Sequence, residues 1–334
     1  MTEPALSGIA VHWRDEAGLA DLIAAWPSDP RFELVVVDNG GGDDARERLA
    51  GGAASEGKAV RWISPGSNLG FAGGANRGVA QARGEILLLL NPDARPEPGA
   101  LEALLEGFSA HPDAAGLAPR LEAPGGAGQW RWQLKPLPSP GRLVLEGLFL
   151  PAARGPDLEP APGTPVEQPA AAALALRREA WLEVGGLDPG YYPAWFEDVD
   201  LARRLAAAGR RILYWPAARF RHGLGSTVPR LGFGPFLWIY YRNLVRYLER
   251  GHGRHGRLWA AAARAVIPAG MALRLVLLPA KRPRRASTRM EAAAALAAAA
   301  LGALSGWRRP RRLARAWTAA ETAAAARPAG EATW

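Results

Sequence analysis

The 334-residue chain has no cysteine. Disulfides and thiolate metal sites are therefore excluded, and a cytoplasmic setting fits. The N-terminus, MTEPALSGIAVHW, lacks a basic leader segment and carries an early acid, so no signal peptide is expected. Clean apolar runs of about 20 residues are also missing. The best stretch, 265–280, is interrupted by Arg274, Pro268 and Pro279, which suits an interfacial helix better than a spanning one. No internal repeat is apparent. Acids are scarce in one region only. Residues 251–334 hold 15 Lys/Arg and 3 Asp/Glu, a net of +12, whereas residues 1–250 hold 26 and 29, a net of −3. The basicity belongs to the tail, which suggests an anionic surface as its partner.

Apolar residues make up 49% of the chain, enough for a substantial core. Leu6–Trp13, Glu33–Asp38 and Glu85–Leu90 are short continuous apolar runs, each ending at a polar turn. They read as strands buried on both faces. Helical patterns near 15–26 and 74–83 lie between them. This alternation predicts an α/β domain with a mostly parallel sheet, whose ligands bind beyond the carboxyl ends of the strands. Asp38 and Asn91-Pro92-Asp93 fall at such ends.

Residues 151–169 are rich in Pro, Gly and acids and read as a linker or a mobile lid. Glu197–Ala208 reads as a helix stopped by Gly209, Arg211–Tyr214 as a short strand and Phe233–Arg250 as an aromatic-faced helix. Beyond it, Leu258–Leu278, Glu291–Leu304 and Arg311–Ala326 are Ala-rich helices separated by Pro/Arg clusters. The predicted division is a catalytic-type domain over 1–250 and a basic helical region over 251–334. That region is either an interfacial device or an ordinary helical subdomain.

Three stretches carry chemistry. NLGFAGGANRG (68–78) lacks the spacing of a dinucleotide fold or a P-loop, but it opens a helix after a strand. Its glycines either let backbone N–H groups approach phosphate or ribose, or form a tight turn. In LLLLNPDA (87–94), Asp93 is placed to bind Mg²⁺ or Mn²⁺ together with substrate phosphates, or else is a helix N-cap or turn residue ahead of Pro96–Ala103. In YYPAWFEDVDL (191–201), three acids follow four aromatics. Asp200 can pair with Arg203 or Arg204 on one helix face, which leaves Asp198 facing the cleft. The aromatic wall of Tyr191, Tyr192, Trp195 and Phe196 suits a sugar ring.

In order and spacing, VVVDNGGGDD, NLGFAGGANRG, LLLLNPDA and GGLDPGYYPAWFEDVDLARRLAAAGRRILYWPAARFRHGLGS resemble family 2 glycosyltransferases of the GT-A fold, in particular a bacterial rhamnosyltransferase-like branch. The resemblance covers roughly 6–250. It implies a GT-A, Rossmann-like nucleotide-diphospho-sugar transferase fold with a helical C-terminal extension. Asp38 resembles the acid that hydrogen-bonds the nucleotide's pyrimidine, and Asn68, Gly70 and Asn76 the lining of the nucleotide–sugar cleft. Asn91 and Asp93 occupy the outer positions of the family's D-x-D motif. Asn91 stands where that motif has Asp, so Asp93 becomes the main metal ligand. His222 matches a histidine that completes the metal or diphosphate site, and Asp198 the catalytic base. Glu197 would orient the site, and Trp195 would pack on a sugar. Gly41 stands where the second-strand motif normally has Ser.

The resemblance further implies an inverting transfer. The donor would be a dTDP- or UDP-sugar, rhamnose or a similar hexose. The acceptor would be a saccharide or a lipid-linked acceptor in cell-surface polysaccharide synthesis. The enzyme would be cytoplasmic, at the inner face of the membrane, with no nucleic-acid partner. Competing readings are a glycoside hydrolase with paired carboxylates, which would leave Asp38 and the NPD turn idle, and a nucleic-acid- or membrane-binding protein with a non-catalytic glycosyltransferase-like domain.

Overall fold

The computed structural model describes residues 3–40, 47, 49–53, 56–148, 153–223, 232–280, 283, 286 and 288–307. The chain starts with β1 (Leu6–His12), α1 (Glu16–Ala25), β2 (Phe32–Asp38), β3 (Val60–Ile63), α2 (Gly70–Val79) and β4 (Ile86–Leu90). It continues through β5 (Ala94–Pro96), α3 (Ala100–Ala110), β6 (Ala114–Glu122), the single turn α4 (Trp130–Gln133), β7 (Leu134–Lys135) and α5 (Pro140–Glu146). Then come β8 (Pro165–Val166), β9 (Gln168–Pro169), β10 (Ala173–Arg177), α6 (Arg178–Glu183), α7 (Glu197–Ala207) and β11 (Arg211–His222). Three long helices close the described chain: α8 (Phe233–Gly251), α9 (Gly256–Leu277) and α10 (Arg289–Leu304).

Among the described residues the main sheet has nine strands. Its order is β3-β2-β1-β4-β10-β6-β11-β5, with β8 added on β11. β1 to β4 run parallel, as the buried apolar runs predict. The other half is mixed rather than mostly parallel. β10 is antiparallel to both β4 and β6, and β5 and β8 are antiparallel to β11. Alternate residues feed two cores. Ala10, Leu34, Leu88 and Leu90 meet Leu19, Leu22, Leu101 and Leu104 of α1 and α3 on one face. Ile9, Val11, Leu87 and Leu89 meet α2, α6 and α7 on the other. The glycines of α2 allow its close approach, since a Cβ at Gly78 would lie 2.6 Å from Ile9 Cγ2.

Several elements differ from expectation. The first helix after the Gly-rich stretch runs from Gly70 to Val79 and so starts earlier than 74. Asp93 is a turn residue and caps no helix, because the chain continues extended as β5 and α3 begins only at Ala100. β11 extends to His222, well past Tyr214. A register shift between Trp215 and Arg219 absorbs Pro216, which has no N–H to donate. The segment expected to be a linker or lid is strapped along β11. Gly163 donates to the Tyr214 carbonyl at 2.8 Å, and Glu159 binds both Arg120 and the Tyr214 hydroxyl.

The chain forms two compact units, 1–137 with 153–226, and 138–152 with 227–334. The expected boundary at 250 therefore differs from the division in the structure: α8 groups with α5, α9 and α10. In that second unit Tyr240 donates to Glu146 Oε2 at 2.8 Å, and Trp238 packs edge-on against Trp307. Pro268 sits inside α9 without ending it. The expected helix Arg311–Ala326, the cluster Arg308–Arg312, the basic residues of Lys281–Arg285 and Gly41 lie outside the described residues.

Asp200 anchors α7. It is 4% exposed and accepts from Arg203 and Arg204, both at 2.8 Å, while Arg204 also donates to the Val184 and Gly186 carbonyls. Removing the carboxylate takes the shared counter-charge from two partly buried guanidinium groups. Asp200→Ala is expected to cost about 3 kcal/mol in urea unfolding; a cost near zero would make the pair ornamental.

Candidate active site

The carboxyl ends of the parallel strands β1, β2, β4, β6 and β11 lie along one edge of the sheet. His12, Asp38, Asn91, Glu122 and His222 mark those ends or follow them directly. β10 enters from the same edge, with Ala173 opposite Leu90. The topology thus delivers residues far apart in sequence to a single rim.

At the β2 end, Asp38 Oδ1 is 3.1 Å from His12 Nδ1 and accepts from the Gly40 N–H. His12 Nε2 accepts from the Asp15 N–H at 3.1 Å, so the ring proton sits on Nδ1 and points at Asp38. Buried Asn39 donates to the Gly70 carbonyl and accepts from Leu69. Asn68 Oδ1 accepts from Gly70 N at 2.8 Å, closing the turn into α2. Gly70 has φ +71, and a Cβ there would lie 2.8 Å from the Pro193 carbonyl oxygen. That carbonyl accepts from Phe71 N at 2.7 Å. Asn76 is placed differently from the cleft-lining role expected of it: its amide is taken up by both backbone groups of Leu187.

A second cluster follows β4 and ends β11. His222 is 1% exposed. Its Nδ1 is 2.9 Å from Gln129 Oε1, and Gln129 Nε2 donates back to the His222 carbonyl at 2.9 Å. The amide nitrogen is thereby committed, so Nδ1 is the donor and Nε2 keeps its lone pair. Nε2 lies 3.6 Å from Asp93 Oδ1 and 3.5 Å from the Asn91 amide nitrogen. Burial pushes the His222 value down, opposed by the Asp93 charge. The Trp132 ring stacks on the imidazole at 5.3 Å. No cluster of three or more His, Cys, Asp or Glu ligands forms among the described residues. Asp93 and an imidazole lone pair nonetheless fit a divalent ion that draws its remaining oxygens from phosphate and water.

The third cluster is the acidic turn. Trp195 and Phe196 both hold positive φ, 75° and 74°, which is costly for bulky residues and aims the start of α7. Tyr191 and Phe196 are core residues, so only the partly exposed Tyr192 and Trp195 of the aromatic wall are left for a ligand. The three acids have three different environments. Asp200 is paired. Asp198 accepts from its neighbour Val199 N at 2.8 Å and from Ala171 N at 3.4 Å. Burial raises its value, and those two donors and the Lys135 charge oppose the rise. Glu197 is 7% exposed, and its Oε2 has no hydrogen-bond partner among the described residues. Burial, then the charge of Asp198, push its carboxyl well above the ordinary range.

Sequence reasoning missed His12, Asn39, Gln129, Trp132 and Lys135. His12 could have been found, because it ends the first apolar run as Asp38 ends the second. Gln129, Trp132 and Lys135 carry no local signal.

Comparison with known proteins gives the family and the fold. The "Glycosyl transferase family 2" profile matches residues 16–173. An N-acetylglucosaminyl-diphospho-decaprenol L-rhamnosyltransferase of Mycobacterium tuberculosis is 30% identical over 293 residues, 82% of this chain and 91% of that protein. A pre-mycofactocin glycosyltransferase of the same organism is 32% identical over 155 residues, 46% of this chain and 30% of that protein. Among solved structures, a mannosyltransferase from Pyrobaculum calidifontis in complex with GDP-Man and Mn2+ aligns with a TM-score of 0.51 at 19% identity, covering 98% of this chain and 87% of that one. A structure with UDP, GalNAc and Mn2+ aligns at 0.53 and 16% identity, over 84% of this chain and 58% of that one. The fold is GT-A.

The Glu197 environment has a pH signature. Its raised value means that the folded state keeps a proton which the unfolded chain releases. The associated stability is complete below the ordinary value of 4.5 and drains away as pH rises toward the folded value. Glu197→Gln removes that dependence. Its melting-temperature advantage over the parent is expected to grow from about pH 5 to about pH 8; an advantage that is flat with pH would mean the native carboxyl is ionised.

Proposed function

We propose that this chain, which belongs to glycosyl transferase family 2 and is a glycosyltransferase, moves L-rhamnose or a similar hexose from a dTDP- or UDP-sugar to a lipid-linked saccharide acceptor, with inversion. The observation that carries this reading is the convergence of Asp38, the Asp93–His222 pair and Asp198 along one sheet edge. The rhamnosyltransferase relative, which spans most of both chains, supports the sugar and the acceptor class. Such an acceptor would put the reaction at the inner face of the cell membrane in cell-wall polysaccharide synthesis, with the enzyme cytoplasmic.

In this mechanism Asp38, held by His12, accepts a hydrogen bond from the nucleotide base. The turn at Asn68 and Gly70 lies against the nucleoside. Asp93 Oδ and His222 Nε2 hold Mg²⁺ or Mn²⁺ when it is bound, which neutralises the diphosphate leaving group. Asn91, at the position of a family Asp, contributes a neutral amide and so lowers the negative charge of the site. Trp195 packs against a sugar ring. Asp198 takes the proton from the acceptor hydroxyl as that oxygen attacks the anomeric carbon, and the bond to the diphosphate breaks on the opposite face. The raised value of Asp198 makes it a stronger base than an exposed aspartate. Burial favours the neutral form of Glu197 beside it, and in that form it adds no second charge to repel the base.

Screening the full-length protein against dTDP- and UDP-sugars with a polyprenyl-diphosphate saccharide tests the reading. Asp198→Asn is expected to lose about 10²–10⁴-fold in transfer while still binding nucleotide. Near-parental turnover in that variant would remove Asp198 from the base role.

The metal assignment has its own test. Asp93→Ala is expected to abolish activity together with its response to divalent ions, and His222→Ala to raise the ion concentration needed. Full activity of the parent in EDTA would overturn both assignments.

A further inference from the structure

Helices α9 and α10 are Ala-rich, and each buries one face within its own unit. Ala260, Ala263, Ile267 and Met271 of α9 are fully buried, as are Ala292, Leu296 and Ala299 of α10. The opposite faces are the unusual part. On α9 the exposed line is Leu258, Ala261, Ala265, Ala269, Ala272 and Val276, spaced three or four apart with no polar atom in any side chain. Leu258 is 69% exposed and Val276 75%. At 1.5 Å per residue the stripe from Leu258 to Val276 runs over about 27 Å of the helix. On α10 the exposed line is Met290, Ala294, Ala297, Leu301 and Leu304, again uncharged, with Leu301 66% and Leu304 70% exposed. A surface helix of a water-soluble bundle would carry charges there.

The charges lie off these lines: Arg264, midway along α9, is 3.3 Å from Glu249, and others sit near the helix ends. Arg254 and Arg257 are exposed at the start of α9, and Arg289 starts α10, donating to the Pro279 carbonyl beyond the end of α9. Gly253–Leu277 is also long and apolar enough to cross a membrane by length and composition. Pro268 does not break it, so the interruption expected there is absent. We infer that the outer faces of α9 and α10 seat in the hydrocarbon of an anionic bilayer, with Arg254, Arg257 and Arg289 at the headgroups. A second copy of the chain fits this surface poorly. Residues 251–334 carry a net of +12, and a copy would oppose like charge with like. Anionic headgroups complement it.

The contact differs in kind from a purely electrostatic one. Salt near 1 M shortens the screening length to about 3 Å and removes attraction between exposed charges, but it leaves apolar burial intact. The inference does not rest on the transfer reaction, because binding is measured without substrate.

Flotation of the full-length chain with phosphatidylglycerol/phosphatidylcholine vesicles tests it, in low salt and in 1 M NaCl. The chain is expected to float in both. Leu258→Glu with Val276→Glu and Leu301→Glu is expected to reduce the vesicle-bound fraction about tenfold or more. The corresponding Gln variants, which add no charge, are expected to fall in between and guard against misfolding. Leu182→Glu, on an exposed leucine of the other unit, is expected to change nothing. Flotation abolished by 1 M NaCl and indifferent to the Glu substitutions would overturn hydrocarbon seating. So would a chain that never floats but sediments as a dimer that the same substitutions dissociate.

Discussion

A methyl group on Gly70 would sit 2.8 Å from the carbonyl oxygen of Pro193, and the same carbonyl accepts from Phe71 N. This contact is the constraint on which the site depends. The Gly-rich turn lies next to the Asp38 strand end, tied to it through Asn39 and the Gly70 carbonyl. Pro193 belongs to the acidic turn that ends in Asp198. Because backbone touches backbone, no flexible side chain sets the spacing between the two. The positive φ of Gly70 makes that approach possible without strain, whereas the positive φ of Trp195 and Phe196 is strained. Strain of that kind persists only where the surroundings over-determine it, and here the fixed Pro193 on one side and the Asp200–Arg204 anchor on the other do so.

The acidic turn shows how position on one helix separates roles that composition alone leaves equal. Glu197, Asp198 and Asp200 all lie in the first turn of α7, where the helix dipole favours negative charge. The dipole acts on all three, so it cannot distinguish them. Partners do: two arginines for Asp200, backbone N–H groups for Asp198, and for Glu197 Oε2 none among the described residues. A charge of −3 in one turn would repel itself. Pairing neutralises Asp200 and burial favours the neutral form of Glu197, so the turn carries less charge than its composition suggests.

The parts of this arrangement legible in the sequence were those encoded locally. Buried strands announce themselves as continuous apolar runs, which is why β1, β2 and β4 and their polar ends Asp38 and Asn91–Asp93 could be placed. The i, i+3 and i, i+4 spacing offered Arg203 or Arg204 as the partner of Asp200, and both pair with it. Non-local pairing left no such trace. β10 is an Ala/Leu run that gives no hint of being antiparallel, yet its insertion between β4 and β6 brings Ala171 N to Asp198. Gln129 and Trp132 reach His222 across 93 and 90 residues of sequence, in a stretch without periodicity. The Pro-rich strap read as a linker or lid because its composition resists regular structure, but the bonds of Glu159 to Arg120 and Tyr214, and backbone bonds to β11, hold it in place.

The C-terminal helices invert the usual relation between composition and surface. Their sequence draws the eye to arginine, and the net charge suggests an electrostatic tether. In three dimensions the arginines of α9 and α10 collect at helix ends and flanks, and the outward stripes are bare hydrocarbon. Alanine explains both sides of this. It is small enough to let α8, α9 and α10 pack closely, and it has the highest helix propensity, so no polar outer face is needed to keep the helices formed. A helix that is apolar all round is stable against water only when its outer face is covered. The inner faces are covered by the unit itself. For the outer stripes the covering phase has to come from outside the described chain, and the positive charge at their ends selects one whose surface is negative.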